Sequence, residues 1–207
     1  MFYLRRLAER ASRQFTIRRR LPSEFGGGQI IVSPDAALSY LRPNLASVDP
    51  GLLSAARFLV KPGMRVWDIG ANVGLFGCAA AWKAGASGRV LLVDADPWLA
   101  SLLQRSAQSL DNRTGYAPIE VAICAVTDQP RPVRLKVAER GRASNALDGL
   151  GHTQMDGTRE TVIVGSITLD ALLEASFVPD LIKIDVEGAE MLALRGASRV
   201  LKAKPII

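Results

Sequence analysis

The sequence predicts an α/β domain built on a doubly wound, mostly parallel sheet. From residue 48 onward, short apolar β-rich runs alternate with helical runs at the spacing of βαβ units. The 207-residue length fits one domain, or one domain with an appendage. Apolar residues at 48% and charged residues at 22% fit a globular chain able to pack a core, and exclude a disordered chain or a disulfide miniprotein.

The elements follow in order. Asp49 and Pro50 open a helical run to Val60, which Lys61-Pro62-Gly63 stops. Met64 to Ile69 reads as the first buried strand, Gly74 to Lys83 as a helix of small residues, and Arg89 to Asp94 as the second strand. Pro97 sits at the start of a helix that runs to Leu110. Ile119 to Ile123 is a third strand, and Pro132 to Val137 and Thr161 to Gly165 are two more, flanking a polar, glycine-rich loop. Thr168 is placed to cap a helix over Leu169 to Glu174. Leu181 to Asp185 is a further buried strand, Ala189 to Leu201 a helix, and Pro205-Ile206-Ile207 the first residues of one more strand. A sheet whose last strand has three residues is half built at that edge, so the domain is expected to lack its C-terminal strands.

The net charge of +6 resides in the first 20 residues, where seven arginines face one acid, Glu9. That leaves 19 of the 26 basic and 19 of the 20 acidic side chains for the remaining residues, so the body is neutral and no broad basic face for nucleic acid follows from composition. Phe2, Leu4, Leu7, Ala8 and Ala11 at loosely helical spacing suggest a basic amphipathic helix, suited to an anionic membrane surface, an acidic partner or an organellar presequence, or simply packed lightly on the domain. The EFGGGQ stretch at 24–29 breaks any helix, which sets the expected organisation: a basic segment over 1–28 and the α/β domain over 29–207. No apolar stretch approaches the ~20 residues of a spanning helix. Cys78 and Cys124 stand alone, without CxxC spacing, so a zinc site or disulfide framework is not expected and a reduced, cytoplasmic setting is the simplest reading.

Three stretches carry chemistry. VWDIGANVG (66–74) ends the first strand, where ligands of open α/β sheets bind, and Gly70 and Gly74 permit a sharp turn and close approach to a ligand. Asp68 before the glycines would repel a pyrophosphate and suits a ligand that is cationic at one end, while the amide of Asn72 can bond backbone or ligand. In VLLVDADP (90–97), Asp94 ends the second strand 24 residues after Gly70, the usual spacing of a ribose-hydroxyl acceptor, with two bonds worth about 1.5–3 kcal/mol each. Asp96, just before Pro97, is expected to cap the following helix. In DLIKIDVEGAE (180–190), Lys183, Asp185 and Glu187 fall on one side of a strand by period two. They are expected as a Lys183–Asp185 pair, with Asp185 or Glu187 a general base if burial raises its pKa, or else as a structural ion pair with acids at a helix N-terminus.

WDIGANVG, DADP, TLDALL (168–173) and DLIKIDVEGAEMLALRGA (180–197) together resemble the FkbM family of S-adenosylmethionine-dependent methyltransferases over residues 48–207. The resemblance implies a class I methyltransferase, Rossmann-like fold and transfer of a methyl group to a hydroxyl of a small molecule, sugar or glycan, with S-adenosylmethionine as cofactor and no metal required. It implies that Asp68, Gly70, Asn72 and Gly74 surround the methionine part of the donor and Asp94 its ribose. Lys183, Asp185 and Glu187 would line the reaction centre, with Asp185 also near the cofactor. Departures are Ala95 where the family has proline, with the shorter Asp94 in place of glutamate, and the early end of the domain.

His152, the sole histidine, could reach over the site from the loop at 149–158 as a base, or be a plain loop residue; Ser144 and Asn145 could bond substrate or shape a turn. Two other readings stand beside the enzyme of small acceptors. One is a nonenzymatic, shortened module that keeps the cofactor pocket. The other is an RNA methyltransferase, disfavoured by the neutral body and the lack of an aromatic base-gripping motif, so no nucleic acid partner is expected. Self-association is open.

Overall fold

The structure is a computed structural model that describes residue 13 and residues 15–150 and 157–207. The central frame is a four-stranded parallel sheet in the order β10-β3-β4-β5, formed by β3 (Arg65–Ile69), β4 (Arg89–Asp94), β5 (Ile119–Ile123) and β10 (Leu181–Ile184). Alternate residues of each strand feed opposite cores. Val66, Leu92 and Leu181 pack with helices α1 (Pro50–Leu59), α2 (Leu75–Ala84) and α3 (Pro97–Asp111) on one face. Trp67, Leu91, Val93 and Ile182 pack with α4 (Leu169–Ala175) and α5 (Glu190–Arg195) on the other. This is the doubly wound arrangement expected from the sequence, and the expected caps are in place: Asp49 accepts the Leu52 N–H, Asp96 those of Trp98 and Leu99, and Thr168 that of Ala171.

The residues between β5 and β10 do something the strand pattern does not announce. β7 (Pro132–Ala138) and β9 (Thr158–Ile167) pair antiparallel, with β8 (Ala146–Leu147) on one side and β6 (Ala125–Val126) on the other. They form a second sheet, order β6-β9-β7-β8, beside the parallel one. The parallel sheet is continued past β10 by a single bridge, where Ile206 pairs with Leu181 at the site of the expected last strand.

Near the N-terminus, residues 17–20 are strand β1 (Ile17–Arg20), paired antiparallel with β2 (Gln29–Val32), and not the tail of a basic helix. Backbone pairing wins here because it buries Ile30, Ile31 and Val32 of β2. The turn between the strands is seated on the domain. Tyr116 Oη donates to Phe25 O (2.7 Å) and accepts the Gly28 N–H (2.9 Å), while Ser106 of α3 accepts the Ile31 N–H (2.8 Å). Residues 17–28, expected to belong to the basic segment, thus place Leu21 and Phe25 in the main core. The expected amphipathic run at residues 2–11 lies outside the described residues.

The long helix expected over 189–201 is split. α5 stops at Arg195, with Gly196 packed so closely that a Cβ would sit 2.6 Å from Thr127 O, and Asp170 gathers the Arg199 and Val200 amides (both 2.9 Å) and the Ser198 hydroxyl (2.8 Å) to start a separate turn at Val200–Ala203. Among the described residues no helix is long and apolar enough to cross a membrane.

Candidate functional site

At the carboxyl ends of β3, β4 and β10 lies a cavity of about 240 Å³. Asp68, Gly70, Asn72, Asp94, Lys183, Asp185 and Glu187 all border it. Gly74 does not. It opens α2 with φ +82°, and a Cβ there would meet Leu103 Cδ2 at 2.9 Å and Cys78 Sγ at 3.2 Å, so its lack of a side chain serves packing and not a ligand. Gly70 borders the cavity, but what forbids a side chain is also protein. A Cβ would lie 1.9 Å from the Asp185 carbonyl oxygen, where the chain leaving β10 crosses the turn after β3.

The floor of the cavity is an ion pair. In the β10–β3 register Lys183 stands beside Asp68, on the same face of adjacent parallel strands. Lys183 Nζ donates to Gly70 O (2.8 Å) and lies 3.1 Å from Asp68 Oδ1 and 3.5 Å from Asp185 Oδ2. Burial disfavours the ammonium, but the Asp68 and Asp185 charges and hydrogen bonds outweigh it and hold the Lys183 pKa above its usual value. Lys183 is therefore a protonated clamp and not a base. Asp68 is fully buried, and its Oδ2 accepts the Gly77 N–H (3.0 Å). With one oxygen on the Gly77 amide of α2 and the other facing Lys183, Asp68 fixes the strand–turn–helix unit from the cavity wall.

Asp94 closes β4 as expected and is buried. Its Oδ2 accepts the Asn72 N–H (2.7 Å) and its Oδ1 the Asp96 N–H (2.9 Å). Burial, helped by the nearby Asp96 charge, pushes the carboxyl up to about 7 despite the two amides and Lys183 pulling the other way. Asn72 takes φ +55° to aim its amide at Asp94, and its side-chain Oδ1 is buried with no hydrogen-bond partner. A buried acceptor left unmet is costly, and one at a cavity wall waits for a donor from the ligand.

The period-two expectation for Lys183, Asp185 and Glu187 holds only for Lys183, because β10 ends at Ile184. Asp185 and Glu187 reach the cavity from the loop beyond, with Glu187 at φ +44°. The Asp185 side chain is 59% exposed, at the mouth of the cavity.

Asp96 caps α3 and does more. Its second oxygen accepts from Arg142 and from Asn145 Nδ2 (2.7 Å). Arg142 is buried, lies 4.7 Å from the Trp98 ring centre, and also donates to Asp35 (3.0 Å) and Glu160 (3.3 Å), while Arg159 donates to Asp35 (3.0 Å). Burial raises the Asp35 carboxyl, but hydrogen bonds from Arg159 and Arg142 outweigh it and hold it below its usual value. This network ties the N-terminal strand pair, α3 and the second sheet together behind the cavity. Asn145, whose Oδ1 also accepts the Ala138 N–H (3.0 Å), is committed to it and not to a substrate. His152 lies outside the described residues. Cys78 and Cys124 are free thiols pushed up to about 12 and about 11 by burial, with Asp68 and Asp94 adding to it, so neither is a ready nucleophile.

Sequence reasoning did not anticipate the wall formed by residues 37–52, which contributes Tyr40 and Asp49 to the cavity, nor Arg142 on its other side. Asp49 carried a signal only as a helix cap, and a tyrosine among small residues carries none.

Residues 68–207 match the family described as Methyltransferase FkbM domain. Among curated proteins, Ribosomal RNA large subunit methyltransferase E of Sorangium cellulosum is 33% identical over 93 residues, 41% of this chain and 43% of that protein, so the chain spans less than half the length of that relative. Similar solved structures include methyltransferase FkbM from Methylobacillus flagellatus KT (TM-score 0.49, 18% identity, 74% of this chain and 38% of that one). A SAM-dependent methyltransferase from Aquifex aeolicus is another (TM-score 0.32, 21% identity, 39% of this chain and 40% of that one).

Proposed function

This chain belongs to the FkbM methyltransferase family, and from that premise we propose that it transfers a methyl group from S-adenosylmethionine to a hydroxyl of a small molecule, sugar or glycan. The observation that carries the proposal is the cavity at the carboxyl ends of β3, β4 and β10, bordered by the Asp94 carboxylate and by the unmet Asn72 Oδ1. The chemistry of the wall suits the donor. The cavity is bordered by six carboxylates (Asp49, Asp68, Asp94, Asp96, Asp185 and Glu187) and only two cations, Arg142 and Lys183, a surplus of negative charge that favours a ligand with sulfonium and ammonium groups.

When bound, S-adenosylmethionine supplies an electrophilic methyl group. The protein's own residues hold and orient. Ionised Asp94 accepts from the two ribose hydroxyls with the lone pairs its backbone amides leave open. Lys183 keeps the turn at Gly70 rigid by binding its carbonyl, so the reacting groups stay aligned within about 3–3.5 Å. Asp185, exposed at the mouth and 3.5 Å from Lys183, is placed to take the proton of an acceptor hydroxyl.

The test is calorimetry with S-adenosylhomocysteine on the wild type and Asp94→Ala, followed by mass spectrometry of sugars and hydroxylated metabolites incubated with the donor. Binding lost in the variant and a methylated product support the proposal; equal binding by both proteins overturns the pocket, and binding without any product favours a nonenzymatic module. The Sorangium relative named for ribosomal RNA favours a second reading, an RNA acceptor. Methylation of RNA fragments with a steep salt dependence would establish it.

A further inference from the structure

Resting on the donor assignment above, we infer that Asp49 and Tyr40 form the subsite for the primary ammonium at the amino acid end of the donor. If Asp94 receives the ribose at the end of β4, the other end of the donor extends toward β3 and β10. The charged groups there already face one another around Lys183. Asp68 is buried with one oxygen on the Gly77 amide and the other facing Lys183, and Lys183 itself repels a second ammonium. Asp185 shares its charge with Lys183.

The facing wall, residues 37–52, brings no cation to the cavity. Asp49 Oδ1 accepts the Leu52 N–H that starts α1 (3.0 Å), while its Oδ2 has no hydrogen bond or ion pair among the described residues. Tyr40 is 6% exposed with its ring in the main core, it borders the same cavity, and its hydroxyl has no hydrogen-bond partner among the described residues. A hydroxyl that borders a cavity without a partner is open to a donor from the ligand. Burial first, then the charges of Asp49 and Asp68, hold the phenol proton more tightly than usual, which places Tyr40 within electrostatic reach of both acids at the tip of β3. A carboxylate oxygen and a phenol oxygen, both acceptors, are what an ammonium with three N–H donors needs, and a carboxylate there is a charge-assisted partner. Both residues precede the segment 68–207 that matches the family, so this half of the donor site is supplied by the chain's own N-terminal wall.

The experiment compares two ligands on three proteins by calorimetry: S-adenosylhomocysteine, which carries the amino acid end, and 5′-methylthioadenosine, which lacks it, on the wild type, Asp49→Asn and Tyr40→Phe. Asparagine keeps the helix cap and phenylalanine keeps the packed ring, so both variants retain the fold, checked by unchanged thermal midpoints. The expected result is about tenfold weaker binding of S-adenosylhomocysteine by Asp49→Asn, a several-fold loss in Tyr40→Phe, and unchanged binding of methylthioadenosine by both. Equal losses for the two ligands, or no loss for either, overturn the subsite while leaving the donor assignment standing. A wild type that binds neither ligand overturns the donor assignment and this subsite with it.

Discussion

Asp94→Asn tests the electrostatics of the site through stability alone. In the folded protein burial pushes the Asp94 carboxyl up to about 7, against an ordinary value of 3.8. The folded state therefore holds a proton that the unfolded chain releases. Stability is full below about pH 4, falls as the pH rises through the folded value, and levels off above it. Three units correspond to about 4 kcal/mol in all, of which about 2.5 kcal/mol falls between pH 5 and pH 8. Asparagine has no proton to lose. It keeps one oxygen for one of the two amides and turns an NH₂ toward the other, a pH-independent cost of about 1–3 kcal/mol. Urea unfolding followed by tryptophan fluorescence at pH 5, 6.5 and 8 is thus expected to show the variant gaining on the wild type by about 2.5 kcal/mol across that range. Parallel profiles for the two proteins would refute the reasoning, since they would mean that Asp94 does not titrate in this window. Under the proposed function the wild type also binds S-adenosylhomocysteine up to about tenfold more weakly per unit below pH 7, as the ionised acceptor is lost.

Two further substitutions separate the roles of the floor and the turn. Lys183→Met leaves the buried Asp68 charge without its cation and is expected to cost about 3–5 kcal/mol in urea unfolding; adding Asp68→Asn is expected to recover most of that loss, and additive losses would contradict the ion pair. Gly70→Ala drives a Cβ to 1.9 Å from the Asp185 carbonyl at φ +74° and is expected to cost more than about 3 kcal/mol. Gly149→Ala has a similar φ of +85° but no atom within 4 Å and serves as the control, expected to cost only about 1–2 kcal/mol; equal costs would show that the crossing at Asp185 is not what demands the glycine.

Local chemistry was legible in the residues themselves. Short apolar runs placed β3, β4, β5 and β10; β3 and β4 are buried on both faces, which leaves runs that chain order alone displays. Asp49, Asp96 and Thr168 marked helix starts, because a cap bonds amides only two or three residues away. Asp94 was found by its distance of 24 residues from Gly70, and Lys183 because charges at the end of an apolar strand are expensive without a partner or a task. What each acid does was decided by partners far along the chain. Asp68 was read as a ligand group, and register then set beside it Lys183, 115 residues later. Asp94 acquired its raised pKa chiefly from the walls that bury it, with the Asp96 charge adding to it. Gly70 is required by the Asp185 carbonyl, Asn145 is held by Asp96, and Tyr40 and Asp49 face β3 only because the N-terminal wall folds back over the sheet. Periodicity, caps and turns act through bonds and sterics within a few residues, so one sequence exposes them. Ion pairing, desolvation and close backbone crossings depend on which strands become neighbours, and that is settled only when the sheet assembles.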